Sequence, residues 1–258
     1  MENVQQIVNK VNLCNLGTSI KLLFTGYLTT ILVGYLMALV QILLTHGMAD
    51  GKFGLSLNDI VYSYYGNRSG SVLEQKLEGS MKMNAPDAER FKIIQWVRDG
   101  AEEAAYRQEI QPIISKHCLA CHNANASGIP NLAEFAVVKG LTTSDQGATY
   151  QSLTRVSHIH LFGISFIFMF VGMIFSLSTG VDKKLKYSAI IMPYLFLLID
   201  ISSWWLTKLN PHFALLVVIG GIGLAIAFAI MWAISIYQMW FMQRILKHPD
   251  RRSALFRD

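Results

Sequence analysis

The stretch "FALLVVIGGIGLAIAFAIMWAISIYQMW", residues 213–240, contains no charged side chain along its whole length. A helix needs about 20 apolar residues to cross the hydrocarbon core of a bilayer, so this stretch is long enough to span one. Similar apolar runs lie at residues 22–45, 158–180 and 187–207. The sequence therefore predicts an all-α fold with four transmembrane helices.

The four runs divide the chain into five expected parts. These are a short cytoplasmic interfacial segment at 1–20, the first transmembrane helix at 21–46, a domain outside the membrane at 47–156, the second to fourth helices within 157–240, and a basic cytoplasmic tail at 241–258. The inserted domain has the size of one small folded unit. The first run is too long and begins too late for a cleaved signal peptide, so we expect it to remain as an anchor.

The distribution of Lys and Arg predicts the orientation of the helices. Ten basic residues lie in 1–21, 179–186 and 241–258, whereas the loop between the third and fourth helices has only Lys208. Residues 46–157 carry eleven basic and twelve acidic side chains. Because loops rich in Lys and Arg stay cytoplasmic, we expect both termini inside a bacterial inner membrane and the inserted domain in the periplasm. The pI of about 9.1 then reflects topology and does not indicate a nucleic-acid partner.

A chemical motif lies inside the inserted domain. Residues 118–122 read "CLACH", the C-x-x-C-H pattern of covalent c-type haem attachment. Two thiols on one helical turn can reach the two vinyl groups of one porphyrin, and the next histidine then lies under the iron as an axial ligand. The sequence therefore predicts one covalent haem c on Cys118, Cys121 and His122. Haem c is attached in the periplasm, so the motif and the charge distribution agree.

Other interpretations of the motif find less support in the sequence. A structural zinc site needs about four ligands, and the only further cysteine, Cys14, lies far away. A thioredoxin-like redox pair needs a βαβ context, and the sequence shows no such pattern. A chance match on a helix is the remaining alternative.

Local signals predict the helices around the motif. Ser71 and Asp87 are candidate helix caps, and apolar residues after Asp87 have helical spacing. Gly100 is expected to weaken or end that helix. A second helix over about 104–122 is expected to lead into the haem motif.

Two segments of the domain resemble the halves of a class I cytochrome c in reversed order. "LEGSMKMNAPDAERFKIIQWVRDGA", residues 77–101, is similar to the methionine loop and final helix of that family. "YRQEIQPIISKHCLACHNANASGIPNLAEF", residues 106–135, is similar to its first helix, haem motif and following loop. The domain thus resembles a circularly permuted class I cytochrome c, mainly helical and with one haem. Permutation is physically plausible because domain termini often lie close together.

The resemblance implies a methionine as the sixth ligand of the haem iron. Met81 and Met83 both lie in "GSMKMNAP", and Met81, which follows "GS", is the first choice. A thioether ligand raises the reduction potential and favours electron transfer. The alternatives are that His117 or a histidine at the membrane edge is the ligand, or that the methionines are ordinary core residues.

Polar side chains also group at the predicted outer ends of the helices. They are His46, His158, His160 and Asp200. Asp200 lies roughly 20 Å into a core of about 30 Å, and an ionisable residue at that depth indicates a function. We therefore consider a second site for haem b, a copper or other metal ion, or quinol. The alternative is that the histidines lie among lipid headgroups and that Asp200 bonds a neighbouring helix.

Residues 20–50 and 155–245 further resemble a family of small four-helix membrane proteins found in bacterial respiratory contexts, and this resemblance implies a redox partner role. The first hypothesis is a membrane-bound cytochrome that transfers single electrons between a membrane donor, quinol or a partner subunit, and a periplasmic or oxidase acceptor. The alternative is an enzyme subunit with a second redox or quinol site, acting as a quinol:cytochrome-type oxidoreductase. Expected partners are membrane lipid and other respiratory-complex subunits or a soluble cytochrome.

Overall fold

The computed structural model describes residues 11–47, 49–50 and 52–242. No strand occurs within these ranges, where Ser71 and Ser144 form one isolated bridge. The α-helices are α1 Thr18–His46, α2 Leu57–Tyr64, α3 Val72–Glu78, α4 Asp87–Arg98, α5 Glu103–Ala105, α6 Gln111–His117, α7 Phe135–Gly140, α8 Tyr150–Ser176, α9 Lys183–Leu209 and α10 Ala214–Tyr237. Short 3₁₀ turns lie at Lys82–Asn84 and Pro211–Phe213, and π-helical turns at Tyr106–Ile110 and Gln238–Met242.

The four predicted spans are confirmed by length and hydropathy. They correspond to α1, α8, α9 and the continuous helical stretch Pro211–Met242. Helix α8 begins at Tyr150, before the predicted boundary at 157. The Thr149 hydroxyl accepts the Ser152 N–H at 3.1 Å and so caps the first turn, which consists mainly of polar residues. Helix α9 continues through Pro193.

Two expected parts of the chain fall mainly on residues that the structure does not describe. Of the interfacial segment 1–20, only the part from Val11 onward is described, and residues 12–16 form turns before α1. Of the basic tail 241–258, the described part is the end of the last π-helical turn. Both expectations therefore stay predictions.

The chain divides into two compact units. We call Met1–Leu39, Thr154–Ser203 and Leu215–Asp258 the span unit, and Val40–Leu153 with Trp204–Ala214 the insert unit. Within the span unit, the Trp232 indole of α10 donates to the Leu28 carbonyl of α1 at 3.2 Å. The Tyr27 hydroxyl of α1 donates to the Ile167 carbonyl of α8 at 3.3 Å. These bonds join three helices through backbone groups inside an apolar unit.

One apolar core lies in the insert unit. Its buried residues are Leu73, Leu77, Ile93, Ile94, Trp96, Ala101, Tyr106, Ile110, Ile113, Ile114, Leu132 and Val138. The ring of Tyr106 lies 5.6 Å from that of Trp96 and 4.9 Å from that of Phe135, measured between centroids. Residues from 77–101 and from 106–135 therefore share a single core.

Of the predicted helix boundaries in the insert unit, some are confirmed and one is wrong. Ser71 caps α3, as predicted, and the structure adds a capping box with Glu74. Asp87 is not a cap: Pro86 holds that position, and Asp87 is the first helical residue, where its carboxylate contacts Arg90. Gly100, at φ 97°, follows the end of α4 as expected.

The predicted helix over 104–122 is only partly correct. It is interrupted by the π-helical turn Tyr106–Ile110 and ends at His117, before the haem motif. The Cys118 N–H donates to the Ile114 carbonyl, and the Leu119 N–H donates to the same oxygen. The chain thus leaves α6 through a widened turn.

Candidate functional site

The motif Cys118–His122 lies in a turn and not on a regular helix. The Cys121 N–H donates to the Cys118 carbonyl at 3.2 Å, and the His122 N–H donates to it at 2.9 Å. The helical-turn geometry assumed from the spacing is therefore reproduced by these two bonds after α6 has ended. Cys118 is half-buried, Cys121 is exposed, and both are free thiols.

His122 is held by the loop that follows it. The Nδ1 atom of its ring lies 3.0 Å from the Pro130 carbonyl oxygen. The Leu132 N–H donates to the His122 carbonyl at 3.0 Å, so residues 123–131 fold back over the histidine. A carbonyl can only accept, so Nδ1 carries the proton and Nε2 is the nitrogen that can ligate a metal. Metal-ligating histidines are commonly oriented in this way, by a hydrogen bond from the ring nitrogen that does not bind the metal.

The surroundings of the Cys118 thiol test whether Cys118 and Cys121 form a thioredoxin-like redox pair. Burial raises the pKa of the Cys118 thiol above its ordinary value. Reactive Cys-x-x-Cys pairs instead have a lowered thiol pKa. Cys118 is therefore a protonated thiol at neutral pH, which does not favour thioredoxin-like chemistry.

The two methionines differ in their attachment to the fold. Met81 is 36% exposed and Met83 is 87% exposed. The Met81 N–H donates to the Lys76 carbonyl at 2.8 Å, and the Met81 sulfur accepts from the Asn84 side chain at 3.4 Å. Met81 is thus tied to the end of α3, while Met83 points outward. The assignment of Met81 as sixth ligand stays a prediction.

His117, the alternative ligand, faces α4. Its ring contacts the carboxylate of Glu89, and the Lys116 ammonium lies 3.3 Å from the same carboxylate. Burial opposes ionisation of Glu89, but Lys116 and His117 together hold the pKa of this carboxyl below its usual value. These contacts bridge α6 and α4.

The residues of the predicted second site fall in both units. His46 belongs to the insert unit, where its Nδ1 lies 2.8 Å from the Ser63 hydroxyl. His158 is exposed. The half-buried ring of His160 donates from Nδ1 to the Val156 carbonyl of the preceding turn at 2.9 Å.

Asp200 lies buried in the span unit, on α9. Helix α10 approaches it closely, because a Cβ at Gly220 would lie 2.7 Å from the Asp200 Cβ. Among the described residues, no three His, Cys, Asp or Glu side chains are arranged to hold a metal ion. The second site stays a prediction.

Sequence reasoning missed Pro130. Its carbonyl fixes the tautomer and orientation of His122, although it lies eight residues further along the chain. The signal was the sequence "SGIPN" at 127–131, a turn-forming stretch directly after the motif. Turn chemistry after a ligand histidine therefore indicates where its second hydrogen bond can form.

Comparison with known proteins bears on the membrane helices. Residues 140–246 match a family model described as a transmembrane helical domain. The chain is a multi-pass membrane protein. Its spans contact lipid, and the matched part contains His158, His160 and Asp200 but neither the haem motif nor Met81. No curated protein and no solved structure gives a significant match.

Proposed function

We propose that this membrane protein is a c-type cytochrome that carries single electrons between a membrane donor, quinol or a partner subunit, and a periplasmic or oxidase acceptor. The observation that carries the proposal is the hydrogen bond from His122 Nδ1 to the Pro130 carbonyl. It presents Nε2 as a ligand nitrogen directly beside two free thiols at the C-x-x-C spacing.

The donor set fits haem c. The thiols of Cys118 and Cys121 would add across the two vinyl groups of the porphyrin, and His122 Nε2 and Met81 would ligate its iron. When bound, haem c supplies an iron that takes up and releases one electron. Met81, Met83 and Ile129 are each exposed in the insert unit.

The protein's own groups explain why a carrier is favoured over an enzyme. Pro130 holds the His122 ring in one tautomer, so Nε2 stays available as a ligand atom. With both His122 and Met81 as ligands, the iron would have no position left for a substrate. The domain would then pass single electrons on, and its donor and acceptor would be proteins or quinol at the membrane that anchors it.

The orientation supports the same function. Lys and Arg are concentrated in 1–21, 179–186 and 241–258. The positive-inside rule then assigns both termini to the cytoplasm and the insert unit to the periplasm. Haem c is attached in that compartment of a bacterial inner membrane.

The test is a haem assay on the purified full-length chain. It is expressed in a bacterium that matures a control cytochrome c, and its pyridine haemochrome spectrum and peroxidase stain on a denaturing gel are recorded. We expect one covalent c-type haem per chain. The Cys118→Ala/Cys121→Ala variant should have none, and Cys14→Ala, which changes the third, buried cysteine, should match the wild type.

A wild-type chain without covalent haem, in cells that load the control, would overturn the proposal. Metal analysis of the same sample also tests the alternative function. A b-type signal or stoichiometric copper in addition to haem c would favour the oxidoreductase with a second centre.

A further inference from the structure

Two cationic side chains from distant parts of the sequence meet in the insert unit. Arg68 lies in the loop after α2, and Lys208 lies in the last turn of α9. The Arg68 guanidinium Nη2 donates to the Lys208 carbonyl at 3.5 Å. Both residues carry a positive charge, and two neighbouring positive charges attract an anion.

The surroundings fix both side chains in place. The guanidinium carbon of Arg68 lies 3.7 Å from the centroid of the Tyr65 ring. The Lys208 ammonium donates to the Gln146 carbonyl at 2.8 Å and lies 5.1 Å from the Tyr150 centroid. Lys208 is 8% exposed, whereas Arg68 is exposed. Arg68 can therefore contact a ligand directly, while Lys208 adds a second positive charge from below the surface.

The nearby carboxylate of Asp145 does not balance this pair. One of its oxygens accepts the Asn67 N–H at 3.2 Å, and the other accepts the Gly147 N–H at 2.8 Å. Asp145 supplies one negative charge, and its two oxygens already accept from backbone amides, whereas Arg68 and Lys208 supply two positive charges. The cluster therefore keeps a net positive charge.

Aromatic residues place the cluster at the depth of lipid headgroups. The Trp204 ring stacks on Tyr64 at 5.7 Å between centroids, and the Trp205 ring lies 6.2 Å from that of Tyr150. Both tryptophans lie one turn before Lys208, at the end of an apolar span. Trp and Tyr at the ends of spans mark the membrane–water interface.

We propose that Arg68 and Lys208 bind the phosphate of an anionic phospholipid in the leaflet at this end of the helices. A guanidinium matches the oxygens of a phosphate in a bidentate geometry. Lipid phosphates are permanently present at this depth. A zwitterionic headgroup also carries a cation, which the Arg68–Lys208 pair would repel, so the site should favour lipids that are anionic overall.

The test compares retention of two lipids by the full chain. The protein is purified in detergent with equal amounts of phosphatidylglycerol and phosphatidylcholine, and bound lipid is counted by native mass spectrometry. We expect phosphatidylglycerol to be preferred. Each cation near a charged surface changes the affinity by about fivefold, so Arg68→Gln should lower the preference by about that factor and Arg68→Gln/Lys208→Gln by about 25-fold.

The matched control is Lys82→Gln/Lys92→Gln, which removes two exposed charges elsewhere in the insert unit. It should retain the wild-type preference. An unchanged preference in Arg68→Gln, whose exposed side chain can be replaced without unfolding, would overturn the proposal. Displacement of the lipid by millimolar inorganic phosphate would also overturn it, because the site would then bind a free anion.

Discussion

In the span unit, the polar side chains of Lys21 and Gln238 form hydrogen bonds with backbone groups. The Lys21 ammonium is buried and donates to the Cys14 and Met239 carbonyls, both at 2.8 Å. Gln238 donates to the Thr179 carbonyl at 2.6 Å and accepts the Thr179 N–H at 2.9 Å. Each side chain satisfies backbone groups of the turns and helix ends beside the spans.

The motif residues of the insert unit are arranged differently. His122 uses Nδ1 for the Pro130 carbonyl, which leaves Nε2 for a ligand, and the sulfurs of Cys118 and Cys121 are free thiols. The first set of side chains stabilises the fold, and the second set is oriented with reactive atoms still available. Substitutions in the two sets should therefore have different effects.

The largest effect is expected at His122. His122→Ala removes the proposed axial nitrogen, so the haem retained per purified chain should fall by about tenfold or more. Pyridine haemochrome spectra measure this directly. His212→Ala, at an exposed histidine of the insert unit, is the control and should keep its haem. Wild-type haem content with an unchanged spectrum in His122→Ala would assign the iron to another ligand, such as His117.

The next effect separates the two methionines. Met81→Ala should lower the reduction potential on the order of 0.1 V, because axial ligands set haem potentials over a wide range and a thioether raises them. A redox titration followed by absorbance measures the change. Met83→Ala is the matched control, since Met83 is 87% exposed. A drop only in Met83→Ala would reverse the assignment, and no drop in either would favour a histidine.

A smaller effect is expected in the span unit. Lys21→Met leaves the Cys14 and Met239 carbonyls without their donor, at a cost of about 1–3 kcal/mol. The unfolding temperature in detergent, followed by circular dichroism, should fall while the haem content stays constant. Lys184→Met, at an exposed lysine near the start of α9, should leave the unfolding temperature unchanged. Loss of haem in Lys21→Met would contradict the idea that Lys21 stabilises the fold without affecting the haem motif.

Much of the fold could be predicted from local patterns. The spans followed from apolar length, the end of α4 from Gly100 and the start of α3 from Ser71 as a candidate cap. These features depend on a few consecutive residues. Asp87 was misassigned because Pro86, with its fixed φ, takes the cap position and places Asp87 in the first turn.

The candidate site could be predicted only in part. The spacing of Cys118, Cys121 and His122 named the residues. It did not show that α6 ends at His117 and that a separate turn carries the motif. The Met239 carbonyl that accepts from Lys21 lies 218 residues further along the chain, and packing brings the two together. Such contacts between distant residues leave no periodic or spacing signal in a single sequence.

The smallest predicted effect concerns the cap of α3, which supports the domain without touching the motif. Burial opposes ionisation of Glu74, but hydrogen bonds from Ser71 and the Arg98 guanidinium, 2.8 Å away, hold its pKa below the usual value. A carboxyl with a lowered pKa in the folded state stabilises that state above its unfolded pKa of about 4.3, and the contribution is lost as the pH falls through the folded pKa.

Glu74→Gln should therefore lower the free energy of unfolding of the insert unit by about 1 kcal/mol at neutral pH, the usual value of a cap. The difference from the wild type should shrink as the pH falls below about 4, because the wild-type carboxyl is then protonated as well. Amide hydrogen exchange of α3 and α4 in the full chain, repeated across this pH range, measures both. Glu109→Gln, at an exposed glutamate, should show neither change. A deficit that persists unchanged in acid would mean that the charge of Glu74 contributes nothing and that only the shape of the cap matters.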